Sequence, residues 1–248
     1  MAIFPVVVIE PNHVRVSVII PTHNEAQSIG RVLADLPADI VTEILVVDSN
    51  SSDGTPEIAS KMGARVLHEP RRGYGRACLT GLASASSPDV VVFLDGDYSD
   101  RPAELPLLLA PIIDGRADIT LGSRLGKQSI SGALPRHAAF GNRLAAFLIT
   151  RLYGVRITDL GPFRAGRAEV LRKLALQETT YGWAVEIILK GALAGFRIVE
   201  IPVSYYPRIG KSKISGTLRG TVGAAWFILF LIVRYYFRHP RAATPRPA

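Results

Sequence analysis

This sequence predicts an α/β fold with a mainly parallel, doubly wound sheet flanked by helices, on three observations. Short apolar runs alternate with longer amphipathic stretches along the first half of the chain. The runs are continuously apolar, as in parallel strands buried on both faces. Those ending at Ile20, Val47 and Leu94 pass at once into loops rich in Asn, Asp, Glu and Ser. An open α/β sheet would gather such loops in one crevice past its strand ends.

Arg15–Ile20 is the expected first strand. Pro21-Thr22-His23-Asn24-Glu25 follows, with Asn24 as N-cap of a helix running to Leu36. Ile44–Val47 is the second strand, ending at Asp48-Ser49-Asn50-Ser51-Ser52-Asp53-Gly54, after which Thr55 caps and Pro56 opens a helix. Arg65–Leu67 is a short third strand, and Gly73-Tyr74-Gly75 leads a helix to about Ala85. Val90–Leu94 is the fourth strand, Pro102–Ile113 a helix, and Ile119–Leu121 a fifth strand ending at Gly122-Ser123-Arg124.

Beyond Arg124 the pattern changes. A Gly/Ser-containing loop, Ser129–Pro135, precedes an amphipathic helix over His137–Tyr153 and a turn-rich segment over Thr158–Arg164. Gly182–Ala194 reads as a helix and Phe196–Tyr206 as a strand, placed at an edge by its internal Pro202. A basic loop, Pro207–Lys213, leads to the most apolar stretch, Thr221–Phe237. That stretch falls short of the roughly 20 apolar residues a bilayer span takes. Its aromatics and the flanking Arg219, Arg234 and Arg238 suit a helix lying in a membrane interface. A buried core helix and a short span are the alternatives. The N-terminal run Ile3–Ile9 has no cationic leader or cleavage site and reads as an arm or stray edge strand. The expected organisation is an arm over residues 1–14, a catalytic domain over 15–214, a membrane-associated helix over 215–238 and a disordered basic tail over 239–248.

With 248 residues, 48% hydrophobic and 20% charged, the chain can bury a substantial core. A single cysteine, Cys78, excludes an intramolecular disulfide and gives no case for structural zinc; it fits a reducing cytoplasm. The net charge of +8 hides a division. Residues 1–120 carry 9 Lys/Arg against 16 Asp/Glu, and residues 121–248 carry 20 against 5. The second half therefore expects an anionic partner. No nucleic-acid-binding motif accompanies the charge, so lipid headgroups or a phosphorylated substrate are favoured and nucleic acid is not. No GxGxxG follows the first strand and no Walker A sequence occurs, which disfavours a hydride or ATP cofactor.

The chemistry centres on Asp95-Gly96-Asp97, directly after the fourth strand. A turn there can aim both carboxylates at one hard cation, and oxygen ligands suit Mg²⁺ or Mn²⁺. The plain alternative is a solvated acidic turn.

Several motifs in this order resemble the family-two glycosyltransferases of GT-A fold, over about Val16 to Arg238. They are Ile20-Pro21-Thr22-His23-Asn24-Glu25, Val46 to Thr55, Asp95-Gly96-Asp97, Gly122-Ser123-Arg124, Thr158 to Arg164, and Arg208-Ile209-Gly210-Lys211-Ser212-Lys213. Within that family they look closest to the dolichol-phosphate mannose and polyprenyl-phosphate sugar synthases. The resemblance implies inverting transfer of a hexose from a nucleotide-diphosphate sugar, of GDP-mannose or UDP-glucose type, to a polyprenyl phosphate. The protein would sit at the cytoplasmic face of the membrane, peripherally or monotopically, and a homo-oligomer is compatible with it.

By that resemblance Pro21, Thr22, Asn24, Glu25, Asp48, Asn50, Asp53 and Asp95 form the nucleotide pocket. Asp48 can accept from base N–H groups and Glu25 from ribose hydroxyls, while Asp53 has the alternative of capping a helix. Asp97 is the direct metal ligand, with Asp95 at the ribose or sharing the metal. The branch typically carries Gln two residues after the second Asp. This chain has Ser99 there, then Asp100; either could substitute as the further metal ligand, and the exact coordination and the sugar stay open. Arg124, Arg136, Arg208, Lys211 and Lys213 suit the acceptor phosphate; the plain reading is a solvated basic surface. Asp159 would act as a base toward a hydroxyl acceptor; with a phosphate it would bind sugar or order its loop. Glu186 reads as a solvated face or structural ion pair, and Trp183 as core more than sugar platform. Two alternatives stand beside this reading: transfer to a soluble acceptor, as in glucosyl-3-phosphoglycerate synthase, and a non-catalytic nucleotide-sugar-binding scaffold.

Overall fold

The computed structural model describes residues 14–125, 136–210 and 218–238, with only the backbone described at 136–138 and 218–222. The strands are β1 (Val16–Thr22), β2 (Val41–Asp48), β3 (Arg65–His68), β4 (Val90–Phe93), β5 (Ile119–Ser123), β6 (Arg164–Arg167) and β7 (Ile198–Pro202). They form one sheet in the order β3-β2-β1-β4-β6-β5-β7. All neighbours run parallel except β6, which is antiparallel to both β4 and β5.

The central strands sort their side chains by alternation. Ile19, Leu45, Val47, Val91, Phe93 and Leu121 point to one face, against α3 (Tyr74–Ser84), α5 (Arg136–Tyr153), α6 (Ala168–Lys173) and α7 (Trp183–Leu193). Val18, Ile20, Val46, Val92 and Leu94 point to the other, against α1 (Ile29–Ala34), α2 (Thr55–Lys61) and α4 (Leu105–Ile113). Because both faces are covered, the strands read as unbroken apolar runs. The doubly wound expectation holds, and β7 lies at the sheet edge as Pro202 indicated.

Three local expectations are corrected. The first helix starts at Ile29, and Asn24 does not cap it. Asn24 sits in the left-handed region (φ 55°), and its Oδ1 accepts from the Ser52 amide at 2.8 Å. Gly54 (φ 90°), not Thr55, is the N-cap of α2; Thr55 Oγ1 instead accepts from the Glu25 amide. The segment through Arg164 is more than turns, because Arg164 opens β6, and α6 follows it directly. Of the two readings of Glu186, the structural ion pair holds and the solvated face does not: it is fully buried, pairs with Lys190 at 2.8 Å and accepts from the Gln177 and Glu178 amides.

The C-terminal helix is α8 (Leu218–Arg238). No helix among the described residues is long and apolar enough to cross a membrane. One side of α8 buries Leu231 and Ile232 on the domain. Tyr153 donates to the Ile232 carbonyl at 2.5 Å, and the Tyr235 hydroxyl donates to Glu186 at 3.0 Å. The other side leaves Trp226, Phe230 and Phe237 exposed. The predicted arm up to residue 13, the loop Ser129–Pro135 and the tail from 239 lie outside the described residues.

Gly75 marks where α3 docks on the segment leading into α7. A Cβ there would lie 2.4 Å from the Glu178 carbonyl oxygen and 2.6 Å from Trp183 Cβ. Both obstacles belong to the packed core, so relief requires backbone movement. Gly75→Ala is expected to cost about 1–3 kcal/mol, the usual range for overpacking. Urea unfolding should show a lower midpoint at unchanged slope.

Candidate active site

The strand order sets β2, β1 and β4 side by side, so the loops at their carboxyl ends share one crevice. Each loop turns on a non-glycine residue in the left-handed region: Asn24 (φ 55°), Asn50 (φ 59°) and Tyr98 (φ 61°). Such conformations persist only where the surroundings enforce them, and they cluster at functional sites.

Thr22 and Asp48 are direct register partners at the ends of β1 and β2. The Thr22 hydroxyl donates to Asp48 Oδ1 at 3.2 Å, and the Ser51 amide donates to Asp48 Oδ2 at 2.9 Å. Asp48 is thereby buried and held in one orientation. Pro21 precedes it on β1, opposite Val47. Asp53 accepts from the Thr55 amide and hydroxyl with one oxygen and from the Ala26 amide with the other, an arrangement that braces the turn before α2 and staples two loops. Those bonds hold its carboxyl below the usual range against the opposing effect of burial. The Asn50 amide group donates to the Pro70 carbonyl at 2.6 Å, so it also braces its loop.

The acidic loop lies against these. A Cβ on Gly96 would come within 3.0 Å of Thr22 Cγ2, so a small residue lets the β4 loop approach the β1 loop. Asp97 Oδ1 accepts from the Ser99 amide (2.9 Å) and hydroxyl (2.6 Å). Ser99 thus orients Asp97. Asp95 Oδ1 and both carboxylate oxygens of Asp100 are buried with no well-formed hydrogen bond among the described residues, although the Tyr74 hydroxyl stands close enough to Asp95 to act on its carboxyl. Burial, then the charge of Asp97, lifts the Asp95 carboxyl to about 7. Burial also pushes Asp100 well above the ordinary range, with Asp95 and Asp97 adding to it. Orphaned buried carboxylate oxygens are costly, and a hard divalent cation relieves that cost. Among the described residues no group of three or more His, Cys, Asp or Glu side chains could hold a metal by itself. A site using one or two carboxylates plus substrate phosphates, the common pattern for Mg²⁺, needs no such group. The residues fit a divalent cation.

A strap from the far end of the chain crosses the acidic loop. Tyr205 bridges Asp100, the Tyr206 amide donates to the Ser99 carbonyl, and the Ile209 amide donates to the Asp97 carbonyl, each at 2.9 Å for the last two. The strap delivers Arg208, which donates to Glu25 Oε1 at 3.0 Å and lies 3.4 Å from Asp97 Oδ2.

Beside it stands Arg124, just past β5. Its Nε and Nη2 grip the two oxygens of Asp159, both at 2.8 Å, and its own amide donates to Asp159 Oδ2 at 2.8 Å. Asn142 on α5 adds a further bond to Asp159. Asp159 is fully buried. Burial alone would raise its carboxyl, but the Arg124 guanidinium outweighs that and holds it below the usual range. Its role here is to aim Arg124 over the Tyr205 ring, 5.1 Å away. The charges of both Arg208 and Arg124 reach Asp95, so the basic groups and the acidic loop form one constellation. Lys211, Lys213 and the side chain of Arg136 lie outside the described residues. The strap that carries Arg208 onto Asp97 and Glu25 was missed as part of the acidic site; no local pattern links positions 183 residues apart.

Comparisons with known proteins agree with this architecture. Residues 17–177 match the family model described as glycosyl transferase family 2. A dolichyl-phosphate hexose transferase of Haloferax volcanii is 37% identical over 201 residues, covering 80% of this chain and 86% of that protein. An undecaprenyl-phosphate mannosyltransferase of Micrococcus luteus is 36% identical over 229 residues, covering 85% and 90%. Among solved structures, glucosyl-3-phosphoglycerate synthase of Mycobacterium tuberculosis, in complex with Mn²⁺, UDP and phosphoglyceric acid, aligns with a TM-score of 0.73 at 22% identity. That alignment covers 92% of this chain and 80% of the synthase and shows the shared GT-A fold. With the fold, the crevice and the family model in agreement, this chain belongs to glycosyl transferase family 2.

Proposed function

We propose that the protein transfers a hexose from a nucleotide-diphosphate sugar to a polyprenyl phosphate, with inversion, at the cytoplasmic face of a membrane. The observation that carries this reading is the meeting of two opposed charge sets in one crevice. Buried carboxylate oxygens of Asp95 and Asp100 lack well-formed hydrogen bonds, and the charges of Arg124 and Arg208 act on the same carboxylate cluster. The names of the Haloferax and Micrococcus relatives support a polyprenyl-type acceptor.

On this reading Thr22, Glu25 and Asp48 receive the nucleoside through their oxygen acceptors. Asp97 and Asp95 hold Mg²⁺ or Mn²⁺, which when bound neutralises charge developing on the leaving diphosphate. Ser99 keeps Asp97 turned toward that task. The acceptor phosphate is already an anionic nucleophile and needs no base, so the protein's contribution is alignment. Arg124, aimed by Asp159, holds it in line with the anomeric carbon. Asp159 is then a positioning residue; paired on both oxygens with a guanidinium, it is poorly placed to take a proton. The exposed faces of α5 (Phe140, Phe147) and α8 (Trp226, Phe230, Phe237) form an apolar surface suited to a bilayer interface.

The purified protein, given Mn²⁺ and a short-chain polyprenyl phosphate, should transfer radiolabel from GDP-mannose or UDP-glucose into an organic-extractable product. Chelation with EDTA should abolish that transfer. The likeness to glucosyl-3-phosphoglycerate synthase makes a soluble acceptor the second reading. Label appearing on phosphoglycerate and not on the lipid would replace the first with the second.

A further inference from the structure

We infer that Arg208 is a built-in counter-cation, holding the acidic site shut to a bare divalent ion and yielding it only when a diphosphate arrives with the metal. This rests on the metal-dependent reading above and adds an order of binding to it.

Arg208 already has two anionic partners. Its guanidinium spans two carboxylates from neighbouring loops, Glu25 Oε1 at 3.0 Å and Asp97 Oδ2 at 3.4 Å. All three side chains are largely shielded, with 26% of Arg208 and 10% of each carboxylate exposed. Charge interactions there are stronger than at an open surface. A cation bound by Asp97 would have to share its oxygens with, or displace, a positive charge already seated on them. Like charges at this range repel, so the bare ion meets a penalty.

A diphosphate changes the balance. It brings anionic oxygens that a planar guanidinium can grip in bidentate fashion. Arg208 can exchange its carboxylate partners for phosphate partners, and Asp97 Oδ2 is released to the metal. The strap makes this exchange local. Its backbone is fixed to the acidic loop by the Tyr206–Ser99 and Ile209–Asp97 hydrogen bonds. Only the side chain needs to swing, so Arg208 remains within reach of whatever binds over Asp97. The metal and the diphosphate thus favour each other's binding, a reciprocal coupling.

The test is Mn²⁺ binding, read by loss of the free-ion EPR signal beyond that of the same mixture without protein, with Mn²⁺ alone and with Mn²⁺ plus UDP or GDP, since the diphosphates themselves take up Mn²⁺. Wild type should bind Mn²⁺ alone weakly and much more tightly with a nucleoside diphosphate. Arg208→Gln should bind Mn²⁺ alone about tenfold more tightly than wild type, and the enhancement by the diphosphate should shrink by a similar factor. Arg208→Met serves as a second uncharged variant should the first fail to fold. Arg208→Lys, which keeps the charge, should bind Mn²⁺ alone no more tightly than wild type. If wild type binds Mn²⁺ with a diphosphate but both uncharged variants match its affinity for Mn²⁺ alone, the counter-cation role is wrong and the metal site stands. If wild type binds no Mn²⁺ even with either diphosphate, the metal-dependent reading falls, and this inference with it.

Discussion

Asp97→Ala is expected to lower kcat for sugar transfer by at least about a thousandfold, since it removes charge stabilisation needed as the diphosphate leaves. Structure predicts little else should change. Asp97 sits in a loop, its side chain pairs with Ser99 and Arg208 among the described residues, and the apolar core is untouched. Thermal unfolding should therefore stay close to wild type, which separates a lost site from a lost fold. Asp97→Asn keeps the shape and an oxygen but loses the charge, and should fall nearly as far. Turnover at saturating Mn²⁺ and donor is the measurement. Activity within tenfold of wild type in both variants would remove Asp97 from the mechanism.

Asp159→Asn is expected to have the largest effect on stability. It leaves Arg124, 12% exposed, without the carboxylate that takes two of its N–H groups and its own amide. Breaking a buried pair by removing one partner costs about 3–5 kcal/mol, which lowers Tm by roughly 10 °C in a domain of this size. The pH dependence has a definite sign. Arg124 holds the Asp159 carboxyl below its ordinary value in the folded protein. The unfolded chain therefore takes up that proton first, and the stabilisation is in place above the ordinary carboxylate pKa of about 4. It drains away as pH falls through the lower folded value. The gap between wild type and Asp159→Asn should be full at pH 7 and narrow below pH 4. Should the gap be under 1 kcal/mol at pH 7, or constant with pH, the pair does not organise the site. Acceptor KM should rise in the same variant, because Arg124 loses the group that aims it.

The parts of the fold that were legible are those where one residue type does one job. Strands β1, β2, β4 and β5 are apolar because helices cover both faces, and their polar ends mark the crevice without ambiguity. Strand β6 was illegible for the opposite reason. Its sequence, Arg-Ala-Gly-Arg, looks like a loop, yet both arginines are buried. Arg164 spends its guanidinium on the carbonyls of Gly161, Pro162 and Ala184, and Arg167 donates to the carbonyl of Ile112. These are buried cations acting as backbone donors, a use that no periodicity reveals. The helix start after β1 failed similarly: Asn24 has the right chemistry for a cap, but Ser52 supplies the amide it binds. Within the site, Asp95, Asp97 and Arg124 were legible because each directly follows a strand. The pairings of Arg208 with Glu25 and of Asp159 with Arg124 were not, since they depend on which chain ends the sheet order brings together.

The attachment of α8 has a geometric consequence. Its inner face is tied to Glu186 on α7 through Tyr235 and to α5 through Tyr153. Trp183, at the start of α7, stacks edge-on against Phe93 at 4.5 Å, two residues before Asp95. A short, packed path thus joins the aromatic outer face of the helix to the acidic loop. If that outer face floats at the headgroup level, the path works as a depth gauge. Under the proposed function, the rigid path would then set how far the crevice stands from the hydrocarbon, and with it the level at which a lipid-borne phosphate meets Arg124.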